Sequence, residues 1–235
     1  MEPLEVIIEL RTPVALGHPW IHFDGIISHL VLREKLGEEY YLLPTKRSIL
    51  RESDDLIAKD VPIAKIMLSE KVWMYRASVG IFDAEELTLT TIYKRFTIEF
   101  ADMIRMRRKS ISIASGKLRN WSIRLPYVPT SEVRFYAVGI ASRIEELLHH
   151  LPGLGKKVAI GFGDIRGFEV RKINEDRSLI YGEIAMRPIP TIFLEKYDDC
   201  YQLAFRPPYW EPNNVTICAP PGCKAKLRRD LKWTY

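Results

Sequence analysis

The sequence predicts an α+β fold: a ferredoxin-like β-α-β-β-α-β core with a β-rich insertion between its two main helices. Three observations predict it. Strand-like and helix-like patterns alternate at both ends of the 235-residue chain. The middle is rich in β-branched residues at strand-like spacing. Hydrophobic residues make up 47% of the chain, enough for one sizeable core. The expected organisation is a single domain over 1–235, with a basic insertion at about 61–125 and a proline-rich C-terminal arm at about 206–235.

The elements follow in order. LEVIIEL at 4–10 is aliphatic and ends at Arg-Thr-Pro, so it reads as a buried strand. Asp24 is placed to cap a helix through GIISHLVLREKLG. Ile26, Ile27, Leu30, Val31 and Leu32 give that helix a broad apolar face, and Gly37 stops it. IAKIMLSEKVWMYRASVGIF reads as two strands with Ser69-Glu70 near the turn. TLTTIYKRFTIEFADMI and NWSIRLPYV read as further strands. A second helix is predicted over 132–151, capped by Ser131. Tyr136, Ile140, Ile144, Leu147, Leu148 and Leu151 recur at helical spacing, and Pro152-Gly153 ends it. GFEVRKI and LIYGEIAMRPIP are strand-like again, divided by the turn-rich NEDRS. RPPYWEPNNVTICAPPG holds five prolines in 17 residues, which predicts an arm over the surface, because proline blocks regular pairing.

Bulk properties exclude several classes. No apolar run of about 18 residues exists, so no membrane span is predicted. The N-terminal MEPLEVIIELRTP carries two acids and no basic leader, so no signal peptide is expected. Cys200, Cys218 and Cys223 form an odd, sparse set suited to a reducing cytoplasm. Cys218 and Cys223 lack partner ligands at zinc-site spacing, so neither metal nor cofactor is expected.

The charge is directed rather than even. Nine basic residues and only two acids lie between Lys94 and Arg124, and a second basic cluster occupies 224–232. The rest of the chain is mildly acidic although the whole carries +5. Such a patch suits a polyanion, because Lys and Arg displace counterions along phosphates; a solvated charged surface is the alternative. Within it, Arg105, Arg107, Arg108 and Lys109 read as a grip on a nucleic-acid backbone or as a solvated hairpin tip. Lys117, Arg119 and Trp121 combine phosphate contact with base stacking, although Trp121 could equally be a strand core residue.

GLGKKVAIGFGDIRGFEV at 153–170 is the densest glycine run. Gly161, Gly163 and Gly167 are spaced one residue too widely for a dinucleotide fingerprint, and a strand pattern follows where a helix is required. The nucleoside-triphosphate loop fails too, since Gly155-Lys156-Lys157 has the wrong spacing and no hydroxyl. A strand phosphate met by Gly153, Gly155, Lys156, Lys157, Gly161, Gly163 and Arg166 is left, alongside simple turn geometry. His18, His22 and His29 cluster near the first helix. His18 and His22 could line an RNA groove, dock a neighbour, or serve a metal-independent endoribonuclease as general base.

Three ordered stretches carry a family resemblance: PVALGHPWIHFDGIISHLV at 13–31, ISIASGKLRNWSIRLPYV at 111–128, and LLHHLPGLGKKVAIGFGDIRGFEV at 147–170. They resemble the RAMP superfamily of CRISPR RNA-binding proteins, and within it the type IV (Csf) subunit that holds the 5′ handle of crRNA. The resemblance implies a RAMP core whose insertion is a thumb. It implies crRNA as partner, beside a backbone RAMP subunit and a large subunit, with target DNA near the flanking motif. It also implies a role in interference without catalysis, since guide processing is usually left to another protein. The superfamily loop often closes on a second glycine pair, whereas Glu169 follows Gly167-Phe168 here. That leaves Gly161 and Gly163 as the better contacts.

Overall fold

A computed structural model describes residues 1–40, 60–70, 72–84, 86–103 and 111–234. In chain order the first part holds β1 (Glu2–Leu10), β2 (Val14–Ala15), α1 (Phe23–Leu36), β3 (Lys65–Met67), β4 (Trp73–Tyr75) and β5 (Ile81–Phe82). There follow β6 (Thr88–Lys94), β7 (Trp121–Val128), β8 (Glu132–Gly139), α2 (Ala141–Leu148) and β9 (Ile165–Lys172). The C-terminal part contributes β10 (Ile180–Tyr181), β11 (Ile184–Ala185), β12 (Ile189–Pro190) and β13 (Leu194–Tyr197). It closes with β14 (Tyr201–Ala204), β15 (Val215–Ala219), β16 (Ala225–Leu227) and β17 (Lys232–Thr234). The protein is thus mixed α/β, with few helices and several small antiparallel sheets.

The largest sheet runs β5-β8-β1-β9 and is antiparallel throughout. Period-two alternation sorts its residues. Val6 lies opposite Phe135 and Val170, and Ile8 opposite Val133 and Phe168, so these residues share one face. Helices α1 and α2 cover that face with Phe23, Ile27, Leu30, Ile144 and Leu147. Glu5, Arg134, Tyr136, Glu169 and Arg171 alternate onto the other face, where Glu132–Arg134 and Glu169–Arg171 form ion pairs.

The helix expected over 132–151 is a strand and a short helix. Residues 132–139 pair with β1 one for one, from Glu132 opposite Glu9 to Gly139 opposite Glu2. Val133, Phe135 and Ala137 enter the core at alternate positions, so the ladder and the buried face outweigh the helical spacing. Ile140, not Ser131, precedes α2 as its N-cap, and Ile144, Leu147 and Leu148 retain the buried face. Asp24 is likewise no cap. His22 holds that position, and Asp24 is buried inside the first turn. Gly37 ends α1 as expected, at φ 52°.

The insertion divides in three. The β3–β4 hairpin joins β17 in a separate sheet. Strand β5 completes the edge of the main sheet. Strands β6 and β7 form a ribbon, paired from Thr88–Tyr127 to Lys94–Trp121, and β2 anchors the ribbon's base at Val128.

The C-terminal segment is not an arm. Strand β15 lies between β12 and β14, and Ile66, Met74, Ile189, Phe193, Phe205 and Leu231 build a second core beneath these strands. Pro207, Pro208, Pro212, Pro220 and Pro221 fall between strands, where a missing N–H costs no ladder bond.

Arg187 joins the two cores. It is fully buried and donates to the carbonyls of Tyr75 (2.5 Å), Ala77 (2.9 Å) and Phe205 (2.5 Å), and to Asp24 Oδ2 (3.0 Å). These bonds through both terminal nitrogens offset a desolvation cost of roughly several kcal/mol, although Nε is buried with no hydrogen-bond partner among the described residues. Asp24 raises the Arg187 pKa against the lowering effect of burial.

Candidate nucleic-acid interface

The glycine run connects α2 to β9 as a tightly tied loop. Leu154 N–H donates to Gly163 O (2.9 Å), Lys156 N–H to Ala15 O (2.8 Å), and Gly163 N–H to Pro13 O (2.8 Å). Gly153 and Gly163 are buried. A Cβ on Gly163 would sit 1.8 Å from Leu154 O, and one on Gly155 2.5 Å from Ala15 O. These glycines exist so that the loop can cross the β1–β2 segment closely. Gly161 differs: it is exposed at φ 99°, and a Cβ there would meet nothing within 4 Å. Its N–H nevertheless bonds Val158 O at 2.9 Å. The backbone N–H groups of Gly161 and Gly163 are therefore engaged inside the protein and not directed at a phosphate. What the loop presents outward is Lys156 and Lys157.

Lys157 meets the ribbon. Lys157 adopts a left-handed φ of 63°, and its Nζ lies 5.6 Å from the Trp121 ring centroid. Phe162 packs 6.1 Å from Tyr127 on the same strand. Lys94 pairs with Trp121 across the ribbon and donates to Lys117 O at 2.6 Å. Arg119 and Arg124 are exposed nearby in the chain. Thus Trp121 and Lys157, distant in sequence, are adjacent in space. Trp121 is only half-buried, so it is not a plain core residue. Lys94, Lys117, Arg119, Arg124, Lys156 and Lys157 form no ion pair among the described residues, whereas Arg11, Arg76, Arg134, Arg143, Arg171, Arg187 and Arg228 all do. Arg166 is exposed on β9, at 4.0 Å from Glu9. Arg105, Arg107, Arg108 and Lys109 lie outside the described residues.

On its other side the loop walls a cleft of about 660 Å³. His18, Trp20 and His22 come from the entry to α1, and Gly153, Gly155 and Val158 from the loop. Tyr209 and Trp210 close it from the C-terminal part. His22 stacks on Tyr209 at 3.8 Å between centroids. Tyr209 O–H donates to Asp24 Oδ1 at 2.6 Å, which fixes the ring. Burial pushes the His22 pKa down to about 4, with Asp24 opposing and Arg187 and His18 adding to the fall. His22 is therefore neutral at pH 7 and a weak base. Burial also raises the Tyr209 pKa, reinforced by Asp24. His29 opens onto the same cleft and shares a 2.7 Å hydrogen bond with Tyr40.

Among the described residues no cluster of three or more His, Cys, Asp or Glu side chains could hold a metal, and no helix is long and apolar enough to cross a membrane. Cys200, Cys218 and Cys223 are free thiols.

The family described as CRISPR type IV associated protein Csf3 matches residues 2–220. The chain belongs to the Csf3 family. This is the membership that the three ordered stretches led one to expect. No curated protein matches the chain. Among solved structures it is similar to a chain of the Type III-B Cmr-beta complex bound to cognate target RNA, solved by cryo-EM, at 16% identity and a TM-score of 0.36. That match covers 72% of this chain and 60% of the other, so the Csf3-family chain spans about three fifths of its length.

In this Csf3-family chain, sequence reasoning missed Tyr209, Trp210, Asp24 and Arg187. The aromatic pair Tyr209-Trp210 stood inside the proline-rich stretch and read as surface. An arginine buried beside an aspartate 163 positions away leaves no local signal.

Proposed function

We propose that this chain is a non-catalytic subunit of a type IV CRISPR effector complex that binds the 5′ handle of crRNA. The observation that carries the reading is the segregation of charge. Among the described residues, Lys94, Lys117, Arg119, Arg124, Lys156 and Lys157 of the ribbon and glycine loop form no ion pair, and Lys157 meets Trp121, while Arg11, Arg76, Arg134, Arg143, Arg171, Arg187 and Arg228 are all paired. Unpaired Lys and Arg beside an accessible aromatic ring is the combination that holds single-stranded nucleic acid, phosphates on the cations and bases on the ring. Family membership and the element order β1-α1-β5-β8-α2-β9, with sheet order β5-β8-β1-β9, support a ferredoxin-like RAMP core, on which the β6–β7 ribbon serves as thumb.

In this reading the subunit caps the guide and orients a backbone RAMP subunit and a large subunit. Base pairing reads the target, and protein contacts hold the guide backbone near the DNA flanking motif. Cleavage of repeat RNA by His18 or His22 is the weaker reading, because the His22 ring is stacked on Tyr209 and burial lowers its pKa to about 4, which makes it a poor general base.

The test is handle-RNA binding by the variant combining Lys117→Ala, Arg119→Ala and Lys156→Ala, over a range of salt. The salt slope should fall by about one for each phosphate contact removed, and affinity should fall with it. Unchanged affinity and slope would overturn the proposal.

A further inference from the structure

We propose that the cleft between the α1 entry, the glycine loop and Tyr209-Trp210 is a pocket for one unstacked nucleobase of the bound strand. This rests on the RNA-binding reading of the ribbon and loop, and extends it from backbone contact to base contact.

The walls argue for a flat, uncharged ligand. His18, Trp20, His22, Tyr209 and Trp210 supply five planar rings. Among the described residues no carboxylate lines the cleft to repel an approaching polyanion, and the buried acid beside it, Asp24, is already held by Arg187 and Tyr209. A volume of about 660 Å³ is in the range of small-ligand sites and admits a nucleoside. Trp210 is 64% exposed at the mouth, a large ring left in water that a stacked base would cover.

The site is continuous with the proposed backbone track. Residues 153–158 wall the cleft on one side and present Lys156 and Lys157 on the other. The Lys156 side chain lies across Gly17, next to His18 at the cleft lip; a Cβ on Gly17 would overlap Lys156 Cε. A strand whose phosphates follow these lysines can turn one base inward past that lip. An apolar side chain from a protein partner would gain nothing from flanking cations, so the base is the better fit.

The platform is also rigid before any ligand arrives. Tyr209 is pinned by Asp24 (2.6 Å) and Arg187 (3.2 Å), and His22 stacks on it. Nδ1 of His22 is buried and has no hydrogen-bond partner among the described residues. A buried polar atom left unpaired is unfavourable. A base entering beside it brings donors and acceptors on its edge.

The experiment uses the full chain and a short single-stranded RNA that begins with the repeat-derived 5′ handle. Each nucleotide in turn is replaced by an abasic one, and affinity is measured for the unaltered chain and for Trp210→Ala. One abasic position should weaken binding about tenfold, the order expected for a lost base-aromatic stack. Trp210→Ala should weaken the intact RNA equally, and the two changes together should cost no more than either alone. Ala204→Phe, which fills the cleft from β14, should reproduce the loss if Trp210→Ala lowers the melting temperature. If Trp210→Ala and Ala204→Phe leave intact RNA bound as before, the pocket is wrong while backbone binding stands. If every abasic loss simply adds to that of Trp210→Ala, the pocket is also overturned. If Trp210→Ala abolishes capture of a partner subunit but not RNA affinity, the cleft is a protein site and the proposal falls. Failure of the RNA reading itself looks different: intact RNA then binds without dependence on Lys117, Arg119 and Lys156.

Discussion

Arg187 and Arg119 carry the same guanidinium and do opposite work. Arg187 is fully buried, bonded through both terminal nitrogens to carbonyls and Asp24, and binds the two cores into one body. Arg119 stands exposed on a basic loop with no ion-pair partner among the described residues. The difference lies in what surrounds each charge. A desolvated charge must be answered within the fold, so it becomes structure. A hydrated, unanswered charge contributes little to stability and is available to a polyanion.

That contrast can be broken most forcefully at Arg187. Arg187→Met should lower unfolding free energy by about 3–5 kcal/mol, because Asp24 stays buried without its counter-charge. Chemical denaturation measures it. The double change Arg187→Met with Asp24→Leu should recover part of the loss, since no lone charge is left behind. No recovery would mean that the carbonyl bonds, not the ion pair, hold the cores together.

The next effect is on His22, at the edge of the same network. Its folded pKa lies below its unfolded value, so the unfolded chain takes up the proton first as the pH falls. Stability is full above about 6.5 and is lost progressively as the pH drops to about 4. The loss should approach about 3 kcal/mol at the acid end. His29 moves in the same direction, again through burial. The difference in denaturation midpoint between the native chain and His22→Phe, followed across that window, isolates the His22 part. A pH-independent difference would contradict the burial argument.

The smallest effect on stability belongs to the exposed cations. Lys117→Ala, Arg119→Ala and Lys156→Ala should each change unfolding free energy by less than about 0.5 kcal/mol. The same variants should weaken handle-RNA binding. A large stability loss at any of them would place that residue with Arg187 and outside the proposed RNA surface.

The legible parts of the molecule were those set by short-range patterns. LEVIIEL, the two halves of the β3–β4 hairpin, NWSIRLPYV and GFEVRKI carry alternation or aliphatic content within one element, and each forms a strand near its expected place. Gly37 stops α1 because only local backbone conformation is at issue. EVRFYAVG misled because Tyr136 and Ile140 continue the spacing of the real helix behind them. Its strand identity depends on β1, more than 120 residues earlier. The candidate site was legible only in part: Lys117, Arg119, Trp121, Lys156 and Lys157 stand out as candidates by charge and motif, but that the N–H groups of Gly161 and Gly163 bond Val158 and Pro13 within the protein left no mark in the sequence. Nothing in the sequence joined His18 and His22 to Gly153 and Gly155 across one cleft.

By itself, the sequence determined an α+β chain with a directed basic segment, a glycine loop that is neither a dinucleotide nor a nucleoside-triphosphate site, and membership of a CRISPR family. Composition, spacing and ordered motifs are properties of the chain alone and do not depend on which distant residues meet on folding. Only the tertiary structure decided that 132–139 is a strand, that the proline-rich tail completes a second core, and that Asp24 answers Arg187. It also decided that Lys157 meets Trp121 while Tyr209 supports His22. The reason is physical: pairing, burial and charge compensation are relations between distant residues, and their free energy exists only once folding has brought the partners together.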